Sequence, residues 1–129
     1  MDLGMEILHA DKQIGDLQIK TASRDAPVSS LSGGNQQKIV IGKWLNHGAK
    51  LFIFDESTIG VDGGTKAEIY RLLGSLQQMG AGIIMISSYL PEVYELADTL
   101  HVFCRGTIVA CHQHQDASQK AILSQAIGP

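Results

Sequence analysis

Two short stretches of the chain combine residue types that suit phosphate chemistry, and the first is residues 31–38, Leu-Ser-Gly-Gly-Asn-Gln-Gln-Lys. It places a serine and two glycines directly before a predicted helix. Glycines let a backbone approach a ligand closely, and the free amides at the positive end of a helix attract anions. An ordinary helix cap, with Ser32 or Asn35 bonding the first-turn amides, is the alternative that this pattern leaves open.

The second stretch is a pair of adjacent carboxylates, Asp55 and Glu56, at the end of the apolar run 51–54. An unbroken apolar run is typical of a strand buried on both faces of a parallel sheet, and ligands of open α/β sheets bind at the carboxyl ends of strands. Asp55 could hold Mg²⁺ directly or through water, while Glu56 could orient or deprotonate an attacking water. A pair of solvated loop acids is the alternative.

Hydrophobic spacing predicts the elements that must position these residues. A helix from Asn35 to about Asn46 follows the first stretch, and 51–54 is a strand. A second apolar run, 83–86, follows a helix-patterned segment at 65–79, so strand, helix and strand form a βαβ unit. The remaining predictions are a short helix before a connection at 21–30, a helix at 91–98, a hairpin around Arg105-Gly106 and a tail helix at 117–127.

Composition restricts the class of protein. The 129 residues are 44% hydrophobic and 18% charged, which is typical of one soluble globular domain. Ten Lys and Arg against thirteen Asp and Glu give a net charge of −3, so no basic field favours nucleic acid as a partner. The sequence contains no apolar run near the ~20 residues of a membrane span and no signal-peptide pattern, and its two cysteines are too few for a disulfide scaffold. We therefore expect a cytoplasmic location.

The order and spacing of the motifs resemble those of ATP-binding cassette (ABC) ATPases. Residues 31–38 resemble the signature motif, and 51–56 resemble the Walker B strand with its catalytic glutamate. Further along, 60–62 (Gly-Val-Asp) resemble the D-loop, and 84–93 (Ile-Met-Ile-Ser-Ser-Tyr-Leu-Pro-Glu-Val) resemble the switch strand and the helix after it. The residues of these motifs are most similar to those in the C-terminal cassette of sugar-import ATPases. The resemblance extends over roughly residues 14–112.

This resemblance implies an α/β fold, namely part of the P-loop NTPase (ABC ATPase) fold with a mostly parallel sheet flanked by helices and part of the helical subdomain at the N-terminus. Residues 1–129 would form a single partial domain. About 1–47 would be the helical subdomain and signature helix, about 48–115 would run from Walker B to the switch region and hairpin, and 116–129 would be the C-terminal tail helix.

Roles for individual residues also come from the resemblance. In this family two cassettes sandwich nucleotide head to tail, so the signature would bind an ATP held mainly by the opposite cassette. Asp55 would help hold Mg²⁺, Glu56 would activate the hydrolytic water on the chain's own side, and Asp62 would signal across the dimer interface. Ser88 stands at the catalytic switch position, where most ABC ATPases have histidine. The nucleotide-binding residues of the signature would be Leu31, Ser32, Gly33, Gly34, Asn35 and Gln36.

Several features depart from the family pattern. Ser57 replaces the usual proline after the glutamate, and Gly63-Gly64 follows Asp62 where one non-glycine residue more often precedes the glycine. Ser88 cannot make the tunable contact that an imidazole makes to a phosphate, although serine is usual in C-terminal sugar-import cassettes. No G-x-x-x-x-G-K-S/T occurs in the 129 residues, so the phosphate cradle is missing from them. The expectation is therefore a C-terminal portion of a cassette with a degenerate site of its own.

By resemblance, the function would be to bind and hydrolyse ATP, with Mg²⁺, to energise import of a sugar or similar solute. The partners would be a second cassette and transmembrane permease subunits at the inner face of the plasma membrane. The alternative is a non-catalytic truncated remnant that can at most pair with another cassette. An ABC protein acting in DNA repair or on ribosomes is disfavoured, because acidic residues outnumber basic ones in this chain.

Smaller features give four further predictions. Trp44 is expected to be a core contact, with an exposed interface position as the alternative, and Lys38 and Lys43 are expected to solvate their helix. The apolar faces of 51–54 and 83–86 are expected to be partly uncovered in the isolated chain. A metal cluster is disfavoured at the four candidate ligands, because their spacing matches no common zinc pattern. These are Cys104, Cys111, His112 and His114.

Overall fold

The computed structural model describes residues 3–114 and 116–128 of the chain. The elements agree in type and order with the predicted ones, and a 3₁₀ turn at Val28–Ser30 adds to the predicted connection. The helices and strands are α1 (Leu3–Asp16), α2 (Gly33–Asn46), β1 (Leu51–Asp55), α3 (Gly63–Gln78), β2 (Gly82–Ile86), α4 (Leu90–Leu96), β3 (Thr99–Cys104), β4 (Thr107–Gln113) and α5 (Gln119–Ile127).

The described residues fall into two compact units. The first comprises residues within 1–52 and 57–83, and the second comprises residues within 53–56 and 84–129. The first unit therefore contains α1, α2 and α3, and the second contains α4, the β3–β4 hairpin and α5.

The core of the first unit forms where α2 packs on α3 and where the chain after α1 returns to α2. Ile69, Leu73 and Leu76 are buried on α3 at helical spacing, and Ile41 is buried on α2. Gly42 allows the close approach of the chain after α1, since a Cβ built there would stand 2.7 Å from a Leu17 methyl carbon.

β1 and β2 pair as a two-stranded sheet. The Gly82 amide donates to the Lys50 carbonyl at 2.8 Å, and the Glu56 amide donates to the Ile86 carbonyl at 2.8 Å. Residue numbers rise together along both strands, so the pair is parallel, as the βαβ pattern predicts. One face of β1 is buried through Phe52 and Phe54.

The opposite face of this sheet is open to solvent. Ile53 is 62% exposed, and Ile84 and Ile86 are 46% and 50% exposed. The expectation that these apolar faces are partly uncovered is confirmed. The run 51–54 is thus a strand with one buried face rather than two.

The second unit is built on the predicted hairpin. β3 and β4 are antiparallel, with Thr99 opposite Gln113 and Cys104 opposite Thr107. Arg105 and Gly106 both have positive φ, 49° and 82°, which is the geometry of a two-residue turn that matches the strand twist. α5 packs on β3, where Val102 and Ile122 are buried.

Two side chains of α2 do not lie where the sequence predicted them. Trp44 is 51% exposed, with the Lys43 Nζ 5.6 Å from its ring centre, so the prediction of a core contact is wrong. The buried residues of α2 recur every three or four positions up to Gly42, and Trp44 lies beside that stripe. Lys38 lies within the stripe and is 1% exposed, so the prediction that it solvates the helix is also wrong.

Of the helices within 3–114 and 116–128, none is both long enough and apolar enough to cross a bilayer.

Candidate functional site

The signature segment 31–36 forms the start of α2. Ser32 is the N-cap residue in an extended conformation (φ −60°, ψ 153°), and its hydroxyl makes no bond to the first-turn amides. Instead, the Asn35 side-chain amide donates to Ser32 Oγ at 2.8 Å. The capping alternative is therefore not the one that the structure adopts. The start of α2 has no side-chain cap from Ser32, and helix starts of this kind can attract an anion.

The two signature glycines have different surroundings. Gly33 is exposed, and a Cβ built on it would meet nothing within 4 Å. Gly34 is buried, and a Cβ built on it would overlap the Cγ2 methyl of Thr65 on α3. Gly33 thus leaves room for a ligand to approach the backbone, whereas Gly34 allows α2 to pack on α3.

The other predicted signature residues turn their polar groups toward their own chain. Asn35 is buried, and its Oδ1 accepts from the Lys20 backbone amide at 2.9 Å. The Gln36 side-chain amide donates to the Leu31 carbonyl at 2.9 Å. These bonds hold the segment before α2 in place and so fix the position of Ser32.

The predicted Walker B acids lie at the carboxyl end of β1. Asp55 is the exposed last residue of the strand. Glu56 has a φ of 48°, which is uncommon for a residue other than glycine and is a form of strain that accumulates at functional sites. Glu56 Oε1 accepts from the Ser88 backbone amide at 2.8 Å, so the structure brings together the two residues predicted as catalytic.

Next to the switch position, sequence reasoning missed a link between Ser87 and Glu92. Ser87 Oγ donates to Glu92 Oε2 at 3.1 Å and accepts from the Tyr89 amide at 3.1 Å. Glu92 is 4% exposed, which is rare for a carboxylate unless it is hydrogen-bonded. This link fixes the turn from β2 into α4, and with it the Ser88 amide that holds Glu56.

Asp62, the predicted D-loop residue, is the N-cap of α3. Its Oδ1 accepts from the Thr65 amide at 3.0 Å, and its Oδ2 accepts from the Thr65 hydroxyl at 2.6 Å. These hydrogen bonds hold the pKa of the Asp62 carboxyl below its usual value. Asp62 is exposed, so it presents an ionised carboxylate at neutral pH. Gly63 and Gly64 form the first turn of α3.

A charged cluster between α2 and α3 was also missed. The buried Lys38 Nζ donates to Glu68 Oε2 at 2.8 Å and to the Gln18 carbonyl at 3.0 Å. The exposed Lys20 Nζ donates to Glu68 Oε1 at 3.2 Å. Lys38 first, and then Lys20, hold the pKa of Glu68 below its usual value. The spacing of Lys38, three residues before the apolar Ile41, is compatible with the inward stripe of α2, but it does not identify Glu68 as its partner.

A further contact joins α2 to the turn after Walker B. The Gln37 side-chain amide donates to the Ser57 carbonyl at 2.9 Å, in the first unit. Ser57 is the residue at which the family resemblance predicts a proline.

A Mg²⁺ ion bound with nucleotide takes few protein ligands, because phosphates and water complete its shell. Asp55 offers an exposed carboxylate of this kind at the end of β1. It therefore suits a metal shared with phosphates rather than one held by protein alone. Within the part of the chain that the structure describes, no three His, Cys, Asp or Glu side chains group as metal ligands.

The chain is similar to ATP-binding proteins of sugar importers. It is 41% identical over 128 residues to the xylose import ATP-binding protein XylG of Geobacillus kaustophilus, covering 99% of this chain and 25% of the relative. It is 42% identical over 128 residues to the arabinose import ATP-binding protein AraG of Rhizobium meliloti, covering 98% of this chain and 25% of the relative. The chain thus spans about a quarter of the length of these curated relatives. No protein-family model matches it.

Solved structures give the same assignment for the fold. A nucleotide-free ATP-binding cassette from an ABC transporter matches with a TM-score of 0.81 at 23% identity, over 99% of this chain and 52% of that one. An ADP-bound conformation of another ABC transporter cassette matches with a TM-score of 0.74 at 25% identity, over 95% of this chain and 46% of that one. The chain is thus homologous to sugar-import ATP-binding proteins, and its fold matches part of an ABC ATPase cassette.

Proposed function

We propose that this chain, as a homologue of sugar-import ATP-binding proteins with part of the cassette fold, serves in a cassette subunit that binds and hydrolyses ATP to energise import of a sugar or similar solute. The observation that carries the proposal is the start of α2. There the first-turn amides lack a side-chain cap, and open space surrounds Gly33.

The signature segment acts on a nucleotide held mainly by a second cassette. The Ser32 hydroxyl and the backbone at Gly33 face the γ-phosphate, and the positive end of α2 favours its charge. Asn35 supports this role, because it ties Ser32 Oγ to the Lys20 amide and so holds the hydroxyl in position. Leu31, Gly34 and Gln36 shape the segment from within the chain.

The carboxylates after β1 act on the chain's own side. Asp55 helps to hold Mg²⁺, whose positive charge offsets the charge that develops on the phosphates. Glu56 orients the hydrolytic water, and the Ser88 amide restricts the rotation of its carboxylate by bonding Oε1. Asp62 is the contact to the second cassette. Permease subunits at the inner face of the plasma membrane complete the assembly.

The test is a mixing experiment with a full-length sugar-import ATP-binding protein whose own signature glycine is changed to aspartate. That partner keeps its phosphate loop but lacks a working signature, so ATP turnover depends on the signature of this chain. We expect the 129-residue chain to restore turnover and Gly33→Asp to abolish it. Gly15→Asp is the matched control, because Gly15 is an exposed helical glycine with nothing within 4 Å of a built Cβ.

A second candidate is a non-catalytic segment that can at most pair with another cassette. These 129 residues contain no G-x-x-x-x-G-K-S/T, so any turnover they support uses a phosphate loop from outside them. This second candidate predicts that the chain binds the partner in the mixing experiment without restoring turnover. Restored turnover that Gly33→Asp leaves intact would contradict the role given to the signature.

A further inference from the structure

In the first unit, the signature and the D-loop meet at one side chain, Thr65. On one branch of Thr65, the hydroxyl donates to Asp62 Oδ2 at 2.6 Å. On the other branch, the Cγ2 methyl lies against Gly34, where a built Cβ would overlap it and would stand 3.0 Å from the Thr65 Cβ. Both branches leave the same Cβ atom, so neither contact can change by rotation of the side chain without changing the other.

One helical turn further along, a second contact fixes α2 on α3. Lys38 Nζ donates to Glu68 Oε2 at 2.8 Å and to the Gln18 carbonyl at 3.0 Å, and Lys38 is 1% exposed. Gly34 and Lys38 lie four residues apart on α2, and Thr65 and Glu68 lie three apart on α3, so the two contacts stack along facing sides of the helices. The Lys38 contact anchors α2, and the Gly34 end of the helix lies against Thr65.

We propose that Thr65 is a positioning residue that couples Asp62 to the signature glycines. When a partner draws the Asp62 carboxylate away, the Thr65 hydroxyl loses its acceptor and the side chain changes its χ1 angle. That rotation withdraws the methyl from Gly34 and shifts the start of α2. This proposal rests on the proposed function, in which Asp62 contacts a second cassette and the signature binds phosphate. The Thr65 coupling would link these two parts.

The coupling can be measured on the full 129-residue chain without nucleotide. We expect Asp62→Ala to shift the backbone amide resonances of Gly33 and Gly34 in ¹⁵N NMR spectra. Thr65→Ser keeps the hydroxyl and removes the methyl, so in that background we expect the shift caused by Asp62→Ala to be largely lost. Any direct effect of the Asp62 charge remains in both backgrounds, and the comparison therefore isolates the contribution of the methyl.

The control is Ser118→Ala, which removes the N-cap of α5 by deleting the hydroxyl that accepts from the Ala121 amide. It should leave the Gly33 and Gly34 resonances unchanged. An Asp62→Ala shift of equal size with and without Thr65→Ser would overturn the proposal, and so would no shift at all.

The mixing experiment then tests the purpose of the coupling. With the signature-deficient partner, we expect Thr65→Ser to lower kcat by about tenfold, because small misplacements of a binding segment slow chemistry strongly. The KM for ATP should change little, since the partner holds most of the nucleotide. Unchanged kcat would overturn the functional half of the proposal. If the unsubstituted chain restores no turnover while the NMR coupling is observed, the proposed function is contradicted. The coupling through Thr65 is then still supported.

Discussion

At the scale of single residues, the two adjacent signature glycines meet different requirements. Gly33 borders open space, and Gly34 borders the Thr65 methyl. A motif written as two identical letters therefore contains one position with room for a ligand and one position that brings two helices together. Substitutions at the two sites should separate these roles.

We expect Gly34→Ala to destabilise the chain by about 1–3 kcal/mol, because the added methyl must displace Thr65 or shift α2. Gly33→Ala should change stability by no more than about 1 kcal/mol, since the space around it is open. Urea unfolding followed by circular dichroism measures both. Equal losses of stability in the two variants would show that Gly34 is not more tightly packed than Gly33.

The buried Lys38 gives the second residue-scale prediction. Lys38→Met should destabilise the chain by about 1–3 kcal/mol, because the Gln18 carbonyl and Glu68 lose a donor inside the first unit. Lys20→Met serves as the matched control, since Lys20 also bonds Glu68 but its side chain is 78% exposed. Its effect should stay below about 1 kcal/mol, as for surface ion pairs. The ranking is contradicted if Lys20→Met is the more damaging change.

At the scale of elements, the starts of the helices differ in the way they are capped. Asp62 caps α3, and Ser118 caps α5, each through a side-chain oxygen that accepts from a first-turn amide. The N-cap Ser32 of α2 makes no such bond, and neither does the N-cap Tyr89 of the short helix α4. Of these two uncapped helix starts, the one at α2 belongs to the motif to which the family resemblance assigns phosphate binding.

The contact between α2 and α3 should be sensitive to acid. Lys38 and Lys20 lower the pKa of Glu68 from its usual 4.5, so the ion pairs contribute stability that is present above pH 4.5 and is lost as the pH falls through the folded-state value. Glu68→Gln should therefore lower stability at neutral pH and flatten its decline below pH 4.5. Unfolding midpoints in urea between pH 7 and pH 3 test this. An unchanged pH profile would mean that Glu68 is not responsible.

Asp62 contributes to the same acid region, because the Thr65 bonds lower its pKa from 3.8. The Glu68→Gln variant should therefore keep part of its decline at the lowest pH. Asp62→Asn is the variant that separates the two contributions, since it removes the titration and retains one acceptor oxygen.

The packing of Gln13 on α1 and of Leu17, just after α1, against α2 depends on Gly42. A built Cβ would stand 2.6 Å from Gln13 Oε1 and 2.7 Å from Leu17 Cδ1, so an alanine there must displace the ends of these two flexible side chains. We therefore expect Gly42→Ala to be less stable than Gly74→Ala on α3, where nothing lies within 4 Å of a built Cβ. Thermal unfolding compares the pair. Equal stability of the two variants would show that Gln13 and Leu17 do not pack this closely on Gly42.

Across the molecule as a whole, the exposed face of the β1–β2 sheet brings apolar side chains together at the surface. Ile53, Ile84 and Ile86 are all at least 46% exposed on adjacent parallel strands. Clustered apolar side chains of this kind favour association.

We expect the isolated chain to associate as its concentration rises, and Ile53→Thr with Ile84→Thr to reduce that association. Ile59→Thr is the control, because Ile59 is 69% exposed and lies outside the strands. Sedimentation velocity over a range of concentrations measures the effect. A monomer at every concentration that unfolds in one sharp transition would contradict the expectation.

The order and type of the elements could be predicted from the sequence, because their apolar periods and turn residues are local signals. The same signals placed the signature at a helix start and Asp55 and Glu56 at the end of a strand. Which polar side chains face inward depends instead on tertiary packing. The burial of Lys38, the exposure of Trp44 and the contact of Gly34 with Thr65 all depend on which side of α2 meets its neighbours. That choice rests on contacts between residues far apart in the chain, and the periodicity of one helix does not encode its partner.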